Sequence, residues 1–335
     1  MRVIRNRPEH CGLVGTPACT VHAPGGSVVA IGNFDGVHRG HQALIARCRD
    51  LAGADPAGGR PEVTVVSFEP LPQAYFRPEQ APARLSTVYQ KLERLRSLGV
   101  DLVWLMRFDR QFAAMTAREF AEGVLLRQLA AKHVVIGEDF RFGYRREGDV
   151  PLLRLLGSEF GFHVTTEPAV TLDGQRISSS GTRALLAAGD FGTAAEWLGR
   201  PFRMEGHVVR GAGLGRKLGY PTANLRIRVQ PCPVGGVLAA WARTPEGPWR
   251  PAVTNLGRRP AVGGGEPLLE VHFFDFEADL YGQRLEVQFV AKLRDEQGFE
   301  RIEDLVEQMK RDERSARELL AAARPPAPDA DTAHA

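Results

Sequence analysis

Through its first half the chain alternates short apolar runs with stripes of helical period. Val28-Val29-Ala30-Ile31, Val63-Thr64-Val65-Val66-Ser67-Phe68, Leu102-Val103-Trp104-Leu105-Met106 and His133-Val134-Val135-Ile136-Gly137 have the length and β-branched content of buried strands. Phe162-His163-Val164-Thr165-Thr166 predicts one more. Between the runs, Gln42-Ala43-Leu44-Ile45-Ala46-Arg47 predicts a helix, and Ser86 precedes the stripe Val88, Leu92, Leu95, Leu98, which stops at Gly99. Thr116 and Glu119 form a capping box that opens a helix carrying Phe120, Val124, Leu125 and Leu129. Such alternation implies right-handed crossovers, hence an α/β domain with a doubly wound parallel sheet. Two short helices are expected next, one after Ser178-Ser179-Ser180 and one capped by Asp190. Gly199 and Pro201 end the second, which puts a domain boundary near residue 200.

Beyond that point glycine and proline become dense, and β runs at 204–209, 237–242, 268–274 and 285–290 follow one another with little helix between. That pattern predicts a small antiparallel β-barrel. Ile302, Leu305, Val306 and Met309 form a stripe for one C-terminal helix, and the Ala/Pro-rich residues from Ala321 onward are expected to stay disordered. The organisation is therefore an N-terminal extension over 1–25, domains over 26–200 and 201–323, and a tail over 324–335.

At 335 residues the chain has room for two cores, and 43% hydrophobic with 25% charged residues is ordinary globular composition. A net charge of +3 with scattered arginines argues against bulk nucleic-acid binding. Cys11, Cys19, Cys48 and Cys232 make no CxxC pair and no zinc spacing, so free thiols in a reducing compartment are expected. No apolar run reaches membrane-spanning length, and the charged start Met1-Arg2-Val3-Ile4-Arg5 is followed by no apolar signal core. The expectation is a cytoplasmic protein without membrane or nucleic-acid partners; a homo-oligomer is left open.

Candidate chemistry starts directly after the first run. Gly32-Asn33-Phe34-Asp35-Gly36-Val37-His38-Arg39-Gly40-His41 joins a strand end to a helix start, where free backbone N–H groups face anionic ligands. Gly36 and Gly40 let backbone approach where a Cβ would collide, and His38 and His41 can donate to phosphate oxygens. Zinc ligation, or surface histidines without a role, are the alternatives that HxxH alone leaves. Further on, Arg176-Ile177-Ser178-Ser179-Ser180-Gly181-Thr182-Arg183 places hydroxyls at a helix start with a guanidinium one turn along. That is either a second anion site or a serine cap beside a surface arginine. The pairing of the two stretches suggests a nucleoside triphosphate.

In the second half, Gly211-Ala212-Gly213-Leu214-Gly215-Arg216 fails as a dinucleotide fingerprint, because Arg216 stands where glycine is required and no strand–turn–helix surrounds it. It runs into Pro221-Thr222-Ala223-Asn224. On an extended segment Thr222 and Asn224 share one side and offer hard oxygen donors suited to Mg²⁺, or simply a polar exposed face. Glu270, within the otherwise apolar Leu268-Leu269-Glu270-Val271-His272-Phe273, is either solvent-facing or buried with a raised pKa. Phe140 and Phe142, just past a strand end, read by pattern as core.

These motifs resemble a known set. Residues 32–41, the Ile-Ser-Ser-Ser-Gly-Thr-Arg run at 177–183, Val-Ile-Gly-Glu-Asp-Phe-Arg-Phe-Gly at 135–143 and the glycine-rich run ending in Pro-Thr-Ala-Asn at 221–224 look like signatures of bacterial bifunctional flavin enzymes. In that family riboflavin kinase and FMN adenylyltransferase (FAD synthetase) share one chain, and the resemblance spans roughly residues 26–318. It implies that riboflavin and ATP give FMN in the second domain, and that FMN and ATP give FAD and pyrophosphate in the first, by direct displacement and with Mg²⁺. It further implies that Gly32, Asn33, Phe34, Asp35, Gly36, Gly40, Arg176, Ser179, Ser180 and Arg183 hold the ATP to be split, with His38 and His41 catalytic and Phe140 and Phe142 near the flavin. For the kinase it implies ATP contacts from Gly215, Arg216 and Gly219, metal ligation by Thr222 and Asn224, Glu270 as base, and a flavin contact from Asn255.

Four departures from the family pattern stand out. Leu71-Pro72 replaces His-Pro, Ser180 replaces threonine, Pro260-Ala261-Val262 replaces Pro-Thr-Phe, and Leu238 replaces tyrosine. Both activities are expected to survive with altered contacts, Leu71 being the change most suspect of facing substrate.

Overall fold

The computed structural model describes residues 1–6, 25–53, 59–211, 213–227, 229, 231–257 and 268–327. Cys11, Cys19, Ala261 and Val262 lie outside the described residues. The chain packs as two compact units, Met1–Pro82 with Ser86–Ser179, and Ala83–Leu85 with Ser180–Ala335. The helices expected before residue 200 thus pack with the second unit.

The first unit is built on six parallel strands: β1 (Arg2–Asn6), β2 (Ser27–Ile31), β3 (Glu62–Glu69), β4 (Leu102–Arg107), β5 (Ala131–Gly137) and β6 (His163–Glu167), in the order β1-β4-β3-β2-β5-β6. The chain leaves β2 towards β3 on one side while β5 lies on the other, so the end of β2 is the switch point where such sheets open a crevice. Helices α1 (Arg39–Gly53), α2 (Pro72–Phe76), α3 (Val88–Ser97), α4 (Arg110–Ala113), α5 (Ala117–Glu119) and α6 (Val150–Phe160) surround it, with a two-stranded hairpin, β7 (Thr171–Leu172) and β8 (Gln175–Arg176), after β6. All of β2 is buried, and its residues alternate between two cores: Val29 and Ile31 feed one, Val28 and Ala30 the other. Helices cover both faces, which is why the run reads as continuously apolar.

The structure amends several expectations. Arg2–Asn6, expected as part of an extension, is an edge strand paired with β4. Its two apolar residues, Val3 and Ile4, flanked by Arg2 and Arg5, carry no buried-strand signal, because an edge strand needs little apolar surface. Helix α3 is capped by Thr87 and Gln90 in a capping box rather than by Ser86, which instead donates to Asp35 and accepts from Gly36 N–H at 3.3 Å. The Thr116–Glu119 box is present, but the helix beyond it, Phe120–Gln128, is π-helical, so Leu129 N–H reaches Val124 O. Helix α6 was not anticipated, although Asp149 caps it and Gly161 ends it in the left-handed conformation.

In the second unit α7 (Ser179–Ala188) and α8 (Phe191–Leu198) precede a closed six-stranded barrel. Its strands are β9 (Arg203–Val209), β10 (Ala223–Ile227), β11 (Gly236–Arg243), β12 (Arg250–Leu256), β13 (Leu268–Phe273) and β14 (Arg284–Arg294), ordered β10-β13-β12-β11-β14-β9 with every pair antiparallel. A single turn, α9 (Leu214–Lys217), interrupts the glycine-rich run, and α10 (Ile302–Ala322) packs outside the barrel against Trp241 and Phe274. Four β runs were expected and six strands are present; β10 and β12 escape detection because polar residues occupy their cavity-facing positions.

Candidate active sites

In the first unit the loop after β2 is shaped by three left-handed residues, Phe34 (φ 48°), Gly36 (φ 78°) and Val37 (φ 45°). Two of these are not glycine, and such strain persists only where packing over-determines it. Phe34 and Val37 are fully buried, which supplies that packing. Phe34 and Asp35, expected to touch ATP, are both wholly buried, so they hold the loop rather than present a contact surface. Gly40 sits close beneath the His38 ring: a Cβ there would come within 3.1 Å of it and press the imidazole to shift by a few tenths of an ångström.

His38 and His41 stack at 3.7 Å between centroids, and Phe34 tilts against His41 at 4.8 Å. The His41 backbone N–H donates to His38 Nδ1 at 3.4 Å, so a neutral His38 carries its proton on Nε2 and presents a donor there. His41 is held well below the usual imidazole range, first by burial and then by the charges of His38 and Lys91. Its Nδ1 is buried without a hydrogen-bond partner among the described residues. No cluster of three or more His, Cys, Asp or Glu side chains that could hold a metal occurs among the described residues. Ser179, at the start of α7, donates to Asp35 O at 3.0 Å and so joins the loop. Arg176 pairs with Asp139 at 2.7 Å. Ser180 and Arg183 belong to the second unit, where Arg183 Nε donates to Ala83 O.

Beside the loop, a cavity of about 650 Å³ is lined by Gly32, Asn33, Phe68, Phe108, Phe112 and Phe140, with Asp139 at its edge. Phe140 and Phe142 stack at 5.5 Å, and Phe68 meets Phe112 at 5.4 Å, so the walls are aromatic and suit a flat ring system. Phe142 is 8% exposed and packs in the core, and it also lines this cavity beside Phe140. The histidines are not on this wall. Leu71 is not on it either: it is 2% exposed, and the change from histidine falls on a packed side chain.

In the second unit the barrel strands bring the expected residues together. β13 lies between β10 and β12, and Glu270 pairs in register with Asn224 on one side and Asn255 on the other. All three line one cavity of about 280 Å³ with Thr222 and Gly215. Glu270 faces this cavity and so keeps exposed surface. The surrounding walls still raise its pKa, chiefly by burial, with Glu296 adding a like charge. Asn255 Oδ1 is buried without a partner among the described residues. A Cβ on Gly215 would fall 2.4 Å from Tyr220 O, so close backbone approach requires glycine there, while one on Gly211 would fall 2.4 Å from Asn224 Nδ2 and force that amide to turn. Arg216 and Gly219 are exposed and do not line the cavity. Leu238 is wholly buried in the barrel core and leaves the cavity wall to Val237.

Two groups escaped sequence reasoning. Lys91, fully buried in α3, donates to Asn33 O at 2.9 Å beneath the first loop; its position on the apolar side of the Val88–Leu95 stripe was the available signal. Asp312 of α10, 6% exposed, holds Arg294 of β14 through contacts at 2.8–3.1 Å, and both side chains line the second cavity.

Residues 20–181 match a family model described as FAD synthetase, and residues 198–320 one described as riboflavin kinase. The bifunctional riboflavin kinase/FMN adenylyltransferase of Escherichia coli strain K12 is 43% identical over 90% of this chain and 95% of its own length. The protein of the same name from Pseudomonas fluorescens is 42% identical over 94% and 95%. Among solved structures, that of a macrolide-efflux protein from Streptococcus pneumoniae superposes with a TM-score of 0.76 at 28% identity, covering 95% of this chain and 99% of the other. No helix among the described residues is long and apolar enough to cross a membrane.

Proposed function

The chain belongs to the family of bifunctional riboflavin kinase/FMN adenylyltransferases, and from that premise we propose which side chains carry each reaction. It phosphorylates riboflavin with ATP to FMN and adenylylates FMN with ATP to FAD and pyrophosphate.

The kinase step is assigned to the barrel and α10, within residues 201–323. Glu270 accepts the proton of the riboflavin 5′-hydroxyl, whose oxygen then attacks the γ-phosphorus of ATP while ADP leaves. The observation that carries this reading is the row Asn224–Glu270–Asn255 across three adjacent strands, facing one cavity. Mg²⁺ fits the donor set there: Thr222 and Asn224 offer hard oxygens, and the absent Cβ of Gly211 leaves room against Asn224. When bound, the ion neutralises triphosphate charge. Asn255, with an unpartnered oxygen, is placed to take a hydrogen bond from the flavin. Gly215 gives the ATP close approach to the backbone, and Arg216 and Gly219 are the parts of this assignment that rest on the signature alone.

The adenylyl step is assigned to residues 26–200. A phosphate oxygen of FMN attacks the α-phosphorus of ATP, and pyrophosphate leaves with no covalent enzyme intermediate. Gly32, Asn33, Gly36 and Gly40 bring backbone close to the phosphates, His38 and His41 donate to their oxygens as charge develops, and Arg176 and Ser179 add to the grip. Ser180 and Arg183 are included by the signature. The aromatic cavity at Phe140 takes the isoalloxazine ring. The free thiols of Cys48 and Cys232 accord with a reducing cytoplasm.

The metal assignment is tested by Thr222→Ala and Asn224→Ala. Each should lower FMN formation and raise the Mg²⁺ concentration at half-maximal rate; a metal dependence unchanged from wild type overturns it.

A further inference from the structure

Lys91 is wholly buried, and an ammonium leaves water only where hydrogen-bond partners replace it. Its Nζ donates to Asn33 O at 2.9 Å and to Ser67 Oγ at 3.2 Å, while Ser67 Oγ itself donates to Asn33 O at 3.0 Å. The Asn33 carbonyl therefore takes two donors from below, one from α3 and one from β3. The Thr87–Gln90 capping box fixes the turn of α3 that carries the lysine. Above this clamp the chain passes through the left-handed residues Phe34, Gly36 and Val37 to the stacked histidines.

We propose that Lys91 is a positioning residue for adenylyl transfer, a buried cation that clamps the Asn33 carbonyl and so holds the Gly32–His41 loop in its phosphate-receiving shape. This rests on the assignment of that loop to the phosphates. Fold maintenance alone does not require a charge at position 91. Taking an ammonium out of water is costly where an apolar side chain of similar length would not be, and Val88, Leu92 and Leu95 show that this helix face is otherwise apolar. The charge has a second reach. His41 feels Lys91 from α3 and His38 from its own loop, both lowering its affinity for a proton, while the Asp35 carboxylate of the same loop accepts from Ser86.

The test compares Lys91→Met, Lys91→Gln and His41→Ala in the full chain. For Lys91→Met, kcat for FAD formation from FMN should fall roughly 10- to 100-fold with KM for FMN little changed, the scale of loss when a reacting group is misplaced by about 1 Å. FMN formation from riboflavin by the same preparation should match wild type, reporting an intact second unit, and an unchanged unfolding midpoint in denaturant should report that the first unit is intact too. Lys91→Gln keeps a donor for Asn33 O and should lose less. In both variants the His41 imidazole should titrate at higher pH when followed by NMR, because removing a nearby cation lets it take its proton sooner. Wild-type kcat with an unmoved His41 titration in both variants overturns the proposal, as does equal loss of both activities in both. If His41→Ala also keeps full adenylylation, the loop assignment itself falls. If His41→Ala is inactive while Lys91→Met is normal, only the role of Lys91 falls.

Discussion

Glu270 meets two opposing demands. It must be ionised to take a proton from riboflavin, yet burial and the neighbouring Glu296 both raise its pKa. A base tuned upward in this way binds the proton more firmly once it has it. Glu296→Gln removes the like charge, so the pKa of Glu270 falls and the acid limb of kinase activity should move to lower pH. Rate against pH for FMN formation measures this, and an unmoved limb would show that Glu296 does not act on the base. At this scale His38, His41, Thr222, Asn224 and Glu270 stood out as candidates by type and spacing, while the roles proposed for them came from the resemblance, since the residues alone left zinc ligation, a polar exposed face and a solvent-facing carboxylate open. Lys91 and Asp312 did not stand out, since a lone lysine or aspartate on a helix is usually a solvated charge, and only burial reveals otherwise. Leu71 ran the other way: a suspect site change proved to be a packed core residue.

At the scale of elements, β10 and its preceding glycine-rich run form the edge of the kinase cavity. Gly211→Ala would drive a methyl to within 2.4 Å of Asn224 Nδ2, so the amide must turn away. FMN formation should drop roughly tenfold or more for a misplacement of that size, with FAD formation from FMN unaffected; assaying both products from one preparation checks it. Helix α10 is held to the barrel by the Arg294–Asp312 pair, to which Gln308 adds a bond at 2.8 Å. Asp312→Ala strands a mostly buried guanidinium and should destabilise the second unit by roughly 3 kcal/mol, read as a lower midpoint in denaturant. Elements buried on both faces, β2 to β5, were read from their apolar runs. The edge strand β1 and the cavity-lining strands β10 and β12 were missed, because partial exposure or polar inward positions erase the period that identifies a strand.

For the whole molecule, the change from alternating strands and helices to successive β runs marks two folds and, with the family, two chemistries on one chain. Sequence reasoning placed the boundary by the Gly199–Pro201 helix stop, whereas packing divides the chain at Ser179, since α7 and α8 bury Leu186, Phe191 and Leu198 in the barrel's core. Helix stops mark where secondary structure ends; which core a helix joins is decided by tertiary contacts that no local signal carries. The central claim is that each reaction has its own residues. Glu270→Ala and His41→Ala, each supplied first with riboflavin and then with FMN in Mg·ATP, test it most directly by chromatographic separation of FMN and FAD. Glu270→Ala should make no FMN yet convert supplied FMN to FAD at the wild-type rate, and His41→Ala should accumulate FMN without FAD. Equal loss of both products in either variant would contradict the division.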